Sequence, residues 1–105
     1  MKFYRYLYTS EKYQDKKQKI CKKLKWNIGQ LNVYVITLSE GDDLLDIFHC
    51  ALLKQKTFPR KHLFVVGIAD GYGEALELSR TIVQDIYTRT GSASVKEYIL
   101  QQQQK

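Results

Sequence analysis

Residues 42–55 read DDLLDIFHCALLKQ. Leu44, Ile47, Phe48, Ala51 and Leu52 fall at alternating steps of three and one, a spacing that lays a single apolar stripe along a helix. Asp42 or Asp43 supplies an N-cap, and the expected helix ends near Gln55, ahead of the loop containing Pro59. Apolar runs flank this segment: LNVYVITL at 31–38 and HLFVVGIA at 62–69. Both are rich in β-branched residues and apolar on both faces, as strands covered by helices on two sides are. Parallel strands need a crossover of about a dozen residues or more, and 40–61 supplies one. Upstream, 3–8 (FYRYLY) alternates Tyr4, Tyr6 and Tyr8 with Phe3, Arg5 and Leu7, the period of an edge strand, and 10–30 supplies a second crossover.

The expected fold is therefore α/β: a single small domain with a three-stranded, mostly parallel sheet in βαβαβα order, flanked by helices, plus a short C-terminal helix. The first helix is expected from Ser10 to about Trp26. The third places Ala75, Leu76, Ser79, Ile82, Val83 and Ile86 on one face and ends at Gly91. Ser94 to Glu97 has the form of a capping box, opening a short helix through Val95, Tyr98 and Ile99. Residues 1–100 form the domain in this reading, and the polar 101–105 is a disordered tail.

The chain has 105 residues, of which 44% are hydrophobic and 27% charged, with 6 Gly and 1 Pro. Such a composition excludes collagen-like and Pro/Gly-rich disordered classes, and at this length about two thirds of the surface can be buried without disulfides or a structural metal. The longest apolar run, Leu63 to Ala69, is far short of a membrane span, and Lys2 and Arg5 interrupt the N-terminus before a signal-type apolar region develops. Cys21 and Cys50 are too few for a disulfide framework. A soluble, cytoplasmic protein with no membrane partner is expected.

The net charge of +6 is concentrated. Between residues 11 and 25, Lys12, Lys16, Lys17, Lys19, Lys22, Lys23 and Lys25 face only Glu11 and Asp15, so seven positive charges less two negative leave +5 in one helix. A dense cationic face attracts phosphate by counterion release and long-range steering, without reading bases. The competing reading is the solvated outer face of a surface helix. Lys54, Lys56, Arg60, Lys61 and His62 make a second basic segment, expected at the sheet edge where the first helix ends. The candidate residues for an anionic partner are Lys16, Lys19, Lys22, Lys23, Lys56, Arg60 and Lys61.

At the carboxyl ends of the strands the residues are acidic and polar: TSE at 9–11, SEGDD at 39–43 and DGYGE at 70–74. Ligands of open α/β sheets bind in the crevice at that edge, so Ser39, Asp42, Asp46, His49, Asp70, Gly71 and Gly73 are its candidates. Gly71 and Gly73 lack both the dinucleotide and the P-loop patterns. Glu40, Asp42, Asp43 and Asp70 offer oxygen ligands for Mg²⁺, but Ser10, Asp42 and Asp70 are equally explained as N-caps. On a helix, Asp46 and His49 are three residues apart and the carboxylate can orient the imidazole as a general base; an ordinary surface pair explains them as well. A zinc site from Cys21, His49, Cys50 and His62 is poorly supported by spacing, and neither metal nor cofactor is expected.

Tyr4, Tyr6 and Tyr8 suit either a covered aromatic face or a stacking platform for unpaired bases. With Val95 and Ile99 on a peripheral helix, they also suggest a homo-oligomer, a homodimer first. The pattern FYRYLYTSEK, VYVITL, DIFHCALLKQ, VVGIADGYGEALEL and VKEYIL resembles short uncharacterised proteins of Gram-positive bacteria. That resemblance implies a stand-alone cytoplasmic bacterial protein and brings no activity or catalytic residues. The leading expectation is a small binding or adaptor protein that meets an anionic partner, nucleic acid first, through its lysine helix. The alternatives are a small enzyme or ligand-binding protein using the strand-end crevice, and a structural subunit of an oligomer.

Overall fold

The computed structural model describes residues 1–41 and 44–105. Asp42 and Asp43, named above as a helix cap and as crevice or Mg²⁺ residues, lie outside the described residues. Four strands, β1 (Lys2–Thr9), β2 (Val33–Leu38), β3 (Leu45–His49) and β4 (Phe64–Asp70), form one sheet in the order β1-β4-β2-β3. β1 runs parallel to β4, whereas β2 is antiparallel to both β4 and β3. The sheet is thus mixed, and the expected three-stranded parallel arrangement is wrong.

The error lies in 42–55. This segment is not a crossover helix: Leu45–His49 is a strand, and only Cys50–Lys54 turns, as a short 3-10 helix. Helical spacing would bury Leu44 and Ala51, yet both are exposed. What wins is alternation within the same letters. Leu45 and Ile47 face one side with His49, and Asp46 and Phe48 face the other. Pairing from Tyr34↔His49 to Leu38↔Leu45 gives β2 a hydrogen-bonded neighbour on its otherwise bare edge, a gain from distant residues that local periodicity does not register.

Each face of the sheet carries a helical layer. On one side Leu7, Val33, Val35, Val65 and Ile68 pack against Ile20 and Leu24 of α1 (Lys17–Lys25) and against Cys50 and Leu53. Opposite, Tyr4, Ile36, Val66 and Ala69 pack against Ala75, Ile82 and Ile86 of α2 (Tyr72–Thr90) and against Val95 and Ile99 of α3 (Val95–Gln104). Ile82, Ile86 and Ile99 are fully buried, each contributing on the order of 1.5–3 kcal/mol. The expected end of α2 at Gly91 is observed, with φ 74° and its N–H donating to the Tyr87 carbonyl at 2.7 Å.

Several local expectations are corrected. The segment after β1 begins as a 3-10 helix, Glu11–Lys16, before α1. Ser10 does not cap it with its side chain; its Oγ accepts from the Asp70 N–H at 3.2 Å instead, tying the ends of β1 and β4 together. Ser94 makes no capping bond either, because its Oγ pairs with Ser92 Oγ at 2.9 Å. The polar 101–104 continues α3 rather than fraying. Gln103 accepts from the Arg5 N–H through Oε1 at 2.7 Å and donates from Nε2 to the Phe3 carbonyl at 3.3 Å, so it occupies the outer edge of β1. Tyr4, Val95 and Ile99, which suggested self-association, are buried inside the chain itself and are not offered to a second copy.

Candidate functional site

Reversing β2 divides the crevice that a parallel sheet would have had. The carboxyl ends of β1 and β4 stay together, but Ser39 and Asp46, at the junction of β2 and β3, pass to the opposite end of the sheet. At the first end Asp70 is already engaged. Lys12 Nζ lies 3.1 Å from Oδ2, and the Tyr13 hydroxyl donates to Oδ1 at 3.0 Å. These bonds, Lys12 first and then Tyr13, hold the Asp70 carboxyl below the usual aspartate range. Burial and the bond to Asp70 push Tyr13 up to about 12. Gly71, at φ 88°, donates its N–H to the Asn32 carbonyl at 2.8 Å, and Gly73 opens α2 with empty space where a side chain would be.

Asp46 and His49 are separated. Three residues apart on a strand, they point to opposite faces, so the expected carboxylate–imidazole pair does not form. His49 acts locally instead. Its Nδ1 accepts from the Ala51 N–H at 3.0 Å, closing the turn into the 3-10 helix, while its ring meets Tyr34 edge-on at 5.0 Å. Asp46 shares a groove of about 460 Å³ with Thr37, Glu40, Phe48, Phe58 and His62. Ser39 lines the same groove.

The lysines divide as well. Lys16, Lys19 and Lys23, spaced three and four apart, line a cleft of about 360 Å³ between α1 and the segment that returns to β2, with Gly29 and Gln30 across from them. Lys54 reaches the same place: a Cβ on Gly29 would stand 2.9 Å from its Nζ. Among the described residues no carboxylate lines this cleft. Lys25 turns away, its ammonium 5.4 Å from the centre of the Phe3 ring. Arg60 joins the two basic segments, its Nη2 donating to the carbonyls of Leu24 and, at 2.8 Å, Lys25 at the end of α1. Lys22 and Lys61 are not cleft residues. Lys56 is exposed, and no contact ties it to the cleft.

Two residues outside the candidate set belong here, one of them, Lys54, a member of the second basic segment. Lys54 carries no pattern that predicts its approach to Gly29. Trp26 does carry a signal: the single tryptophan follows KKLK directly, and it stands 70% exposed at the end of α1, where an indole is ordinarily at least half covered.

The tyrosines pack into a cluster that lines a groove of about 340 Å³ with Asp85, Arg89 and Tyr98. Tyr4 is buried and stacks on Tyr8 at 6.3 Å, the Tyr8 hydroxyl donates to Asp85 at 2.7 Å, and Arg89 pairs with Asp85 at 3.1 Å. Burial raises the pKa of Tyr4 to about 12, and burial with the Asp85 bond raises that of Tyr8 further. Only Tyr6 of the three is exposed.

Among the described residues no group of three or more His, Cys, Asp and Glu side chains could hold a metal ion, so the zinc set of Cys21, His49, Cys50 and His62 is not assembled. Cys50 is buried and donates to the Gln30 carbonyl at 3.1 Å, and burial raises the pKa of Cys21. No described helix is long and apolar enough to cross a membrane. Comparison with protein-family models, with curated proteins and with solved structures finds no match to this chain.

Proposed function

We propose that this protein binds an anionic polymer, nucleic acid first, through the lysine cleft of α1. The observation that carries the reading is the cleft's one-signed lining: Lys16, Lys19 and Lys23 on one helical face, Lys54 beside Gly29, and no carboxylate among the described lining residues. A helix face kept charged for solubility needs no such convergence. Lysines act as point charges, so phosphates position the partner and bases are not discriminated. Exposed Trp26, at the end of the same helix, offers an indole on which an unpaired base can stack, which favours single strands over duplexes.

The test is fluorescence anisotropy with mixed-sequence single- and double-stranded oligonucleotides over a salt series. Binding should weaken steeply with salt, and replacing Lys16, Lys19, Lys23 and Lys54 by Gln should reduce the salt slope by about 0.7 for each lysine in contact with a single strand. No binding at low salt, or binding unchanged in the quadruple variant, overturns the proposal.

A further inference from the structure

Thr37 is fully buried, and its hydroxyl has no hydrogen-bond partner. A hydroxyl in that position costs about 1–3 kcal/mol if left unsatisfied, so its presence asks for a reason. Its surroundings give one. Thr37 sits directly opposite Asp46 in the β2–β3 ladder, and the β2–β4 ladder shifts register between Ile36 and Thr37. Irregularities of this kind re-aim side chains next to sites. The groove of about 460 Å³ opens over this pair, within the range of small-molecule sites.

The groove's chemistry is one-sided. Among the described residues its polar side chains are the carboxylates of Glu40 and Asp46, which accept only, and the Thr37 and Ser39 hydroxyls and His62, which can accept or donate. None of the chain's 17 Lys and Arg residues is among its described lining residues. Lys96 donates from α3 to the backbone carbonyl of Ser39 at 3.1 Å. A protein of net charge +6 therefore carries one groove whose lining is acidic and acceptor-rich. Its walls are apolar, with Phe48 and Phe58 meeting edge-on at 5.0 Å and Pro59 beside them.

We propose that this groove is a binding site for a small organic amine. Its ammonium group donates to Asp46 and, once the Thr37 side chain turns toward the groove, to that unsatisfied hydroxyl, with Glu40 at the rim, and its apolar body lies against Phe48, Phe58 and Pro59. An ammonium suits the position because cross-strand neighbours on one face stand about 5 Å apart at Cβ, close enough for one nitrogen to reach both side chains. It brings three donors and a positive charge to a place lined by two carboxylates and, among the described residues, by no Lys or Arg. The aromatic walls add attraction for a cation and cover the hydrocarbon. This site is separate from the lysine cleft, and neither proposal depends on the other.

Phenethylammonium is the probe, with 3-phenylpropanoate as its charge-reversed counterpart and 2-phenylethanol as the neutral one. Each is titrated into the ¹⁵N-labelled full chain while amide resonances are followed. Phenethylammonium should shift the amides of Thr37, Asp46, Phe48 and His62 saturably in the low-millimolar range, the alcohol should bind more weakly, and the carboxylate should leave those amides unmoved. Asp46→Asn should weaken phenethylammonium about tenfold, and Thr37→Val should weaken it severalfold. Lack of saturable shifts at these amides, equal binding of the carboxylate, or unaltered affinity in Asp46→Asn overturns the proposal. The comparison of the three probes on the unaltered chain keeps the test decisive should either variant fail to fold.

Discussion

Arg60 donates from Nη2 to the Lys25 carbonyl at 2.8 Å across a separation of 35 residues, and to the Leu24 carbonyl beside it. The last carbonyls of a helix lack intrahelical partners and carry the negative end of its dipole, so a guanidinium there supplies both bonds and charge. This contact anchors the loop before β4 to the end of the lysine helix. It also withdraws Arg60 from direct contact with a partner and gives it a structural role.

Arg60→Ala should accordingly lower unfolding stability by about 1–2 kcal/mol, read from the denaturant midpoint. Arg60→Lys keeps the charge at the dipole and should recover part of the loss. An unchanged midpoint in the alanine variant would mean that local bonds such as Trp26 N–H to Lys22 O at 3.1 Å suffice to end α1.

The two glycines at the start of α2 should respond in opposite directions. Gly71 holds φ 88° and ψ 162°, a conformation almost confined to glycine, so Gly71→Ala should cost about 1–3 kcal/mol. Gly73 lies within the first turn, with nothing near the place of a Cβ, so Gly73→Ala should gain up to about 1 kcal/mol of helix propensity. Thermal melts of the two variants check this; equal shifts would contradict the role given to Gly71.

Alkaline titration of Tyr4, Tyr8 and Tyr13 should be coupled to unfolding. Burial raises Tyr4 and Tyr13 from 10.0 to about 12 and raises Tyr8 as well, so each favours the folded state while protonated. Their contribution is full below the unfolded value of 10.0 and fades as pH rises through about 12. Phenolate absorbance should show a late phase from Tyr4, Tyr8 and Tyr13 that coincides with unfolding. Asp70 acts in the opposite sense. Its depressed pKa contributes stability above the ordinary 3.8, which is lost as pH falls through the folded value, so Asp70→Asn should flatten the acid limb of the stability profile.

Gln103→Ala should loosen the outer edge of β1 without unfolding the domain. Its amide side chain satisfies the Arg5 N–H and the Phe3 carbonyl, and removing it exposes both groups to water. Hydrogen exchange at the Arg5 amide should accelerate severalfold, while amides in β4, the central strand next to it, keep their protection. Equal acceleration throughout the sheet would show a global effect instead.

How much of this was legible depends on the residue. Gly91 ends α2 because a left-handed residue after a periodic run is a local signal. The lysine face is equally local, since spacings of three and four place Lys16, Lys19 and Lys23 together on any helix. Lys54 beside Gly29, Thr37 opposite Asp46 and His62 in one groove with Glu40 and Asp46 are products of chain reversals, and no spacing in the sequence encodes them. Asp46 and His49 show the effect of an error in period: a helix pairs them, whereas a strand sends them to opposite faces.

By itself the sequence determined the α/β class, the strands at 31–38 and 62–69 within a residue or two, the helix ending at Gly91, and the concentration of charge between 11 and 25. Each depends on interactions among neighbours in the chain, which periodicity and composition record. The tertiary structure alone decided that 45–49 is a strand, that the sheet is mixed, and that the acidic residues of the strand ends are split between two ends of the molecule. LLDIFHCALL is apolar at both periods, and its backbone was claimed by the open edge of β2, a partner that local propensity cannot see.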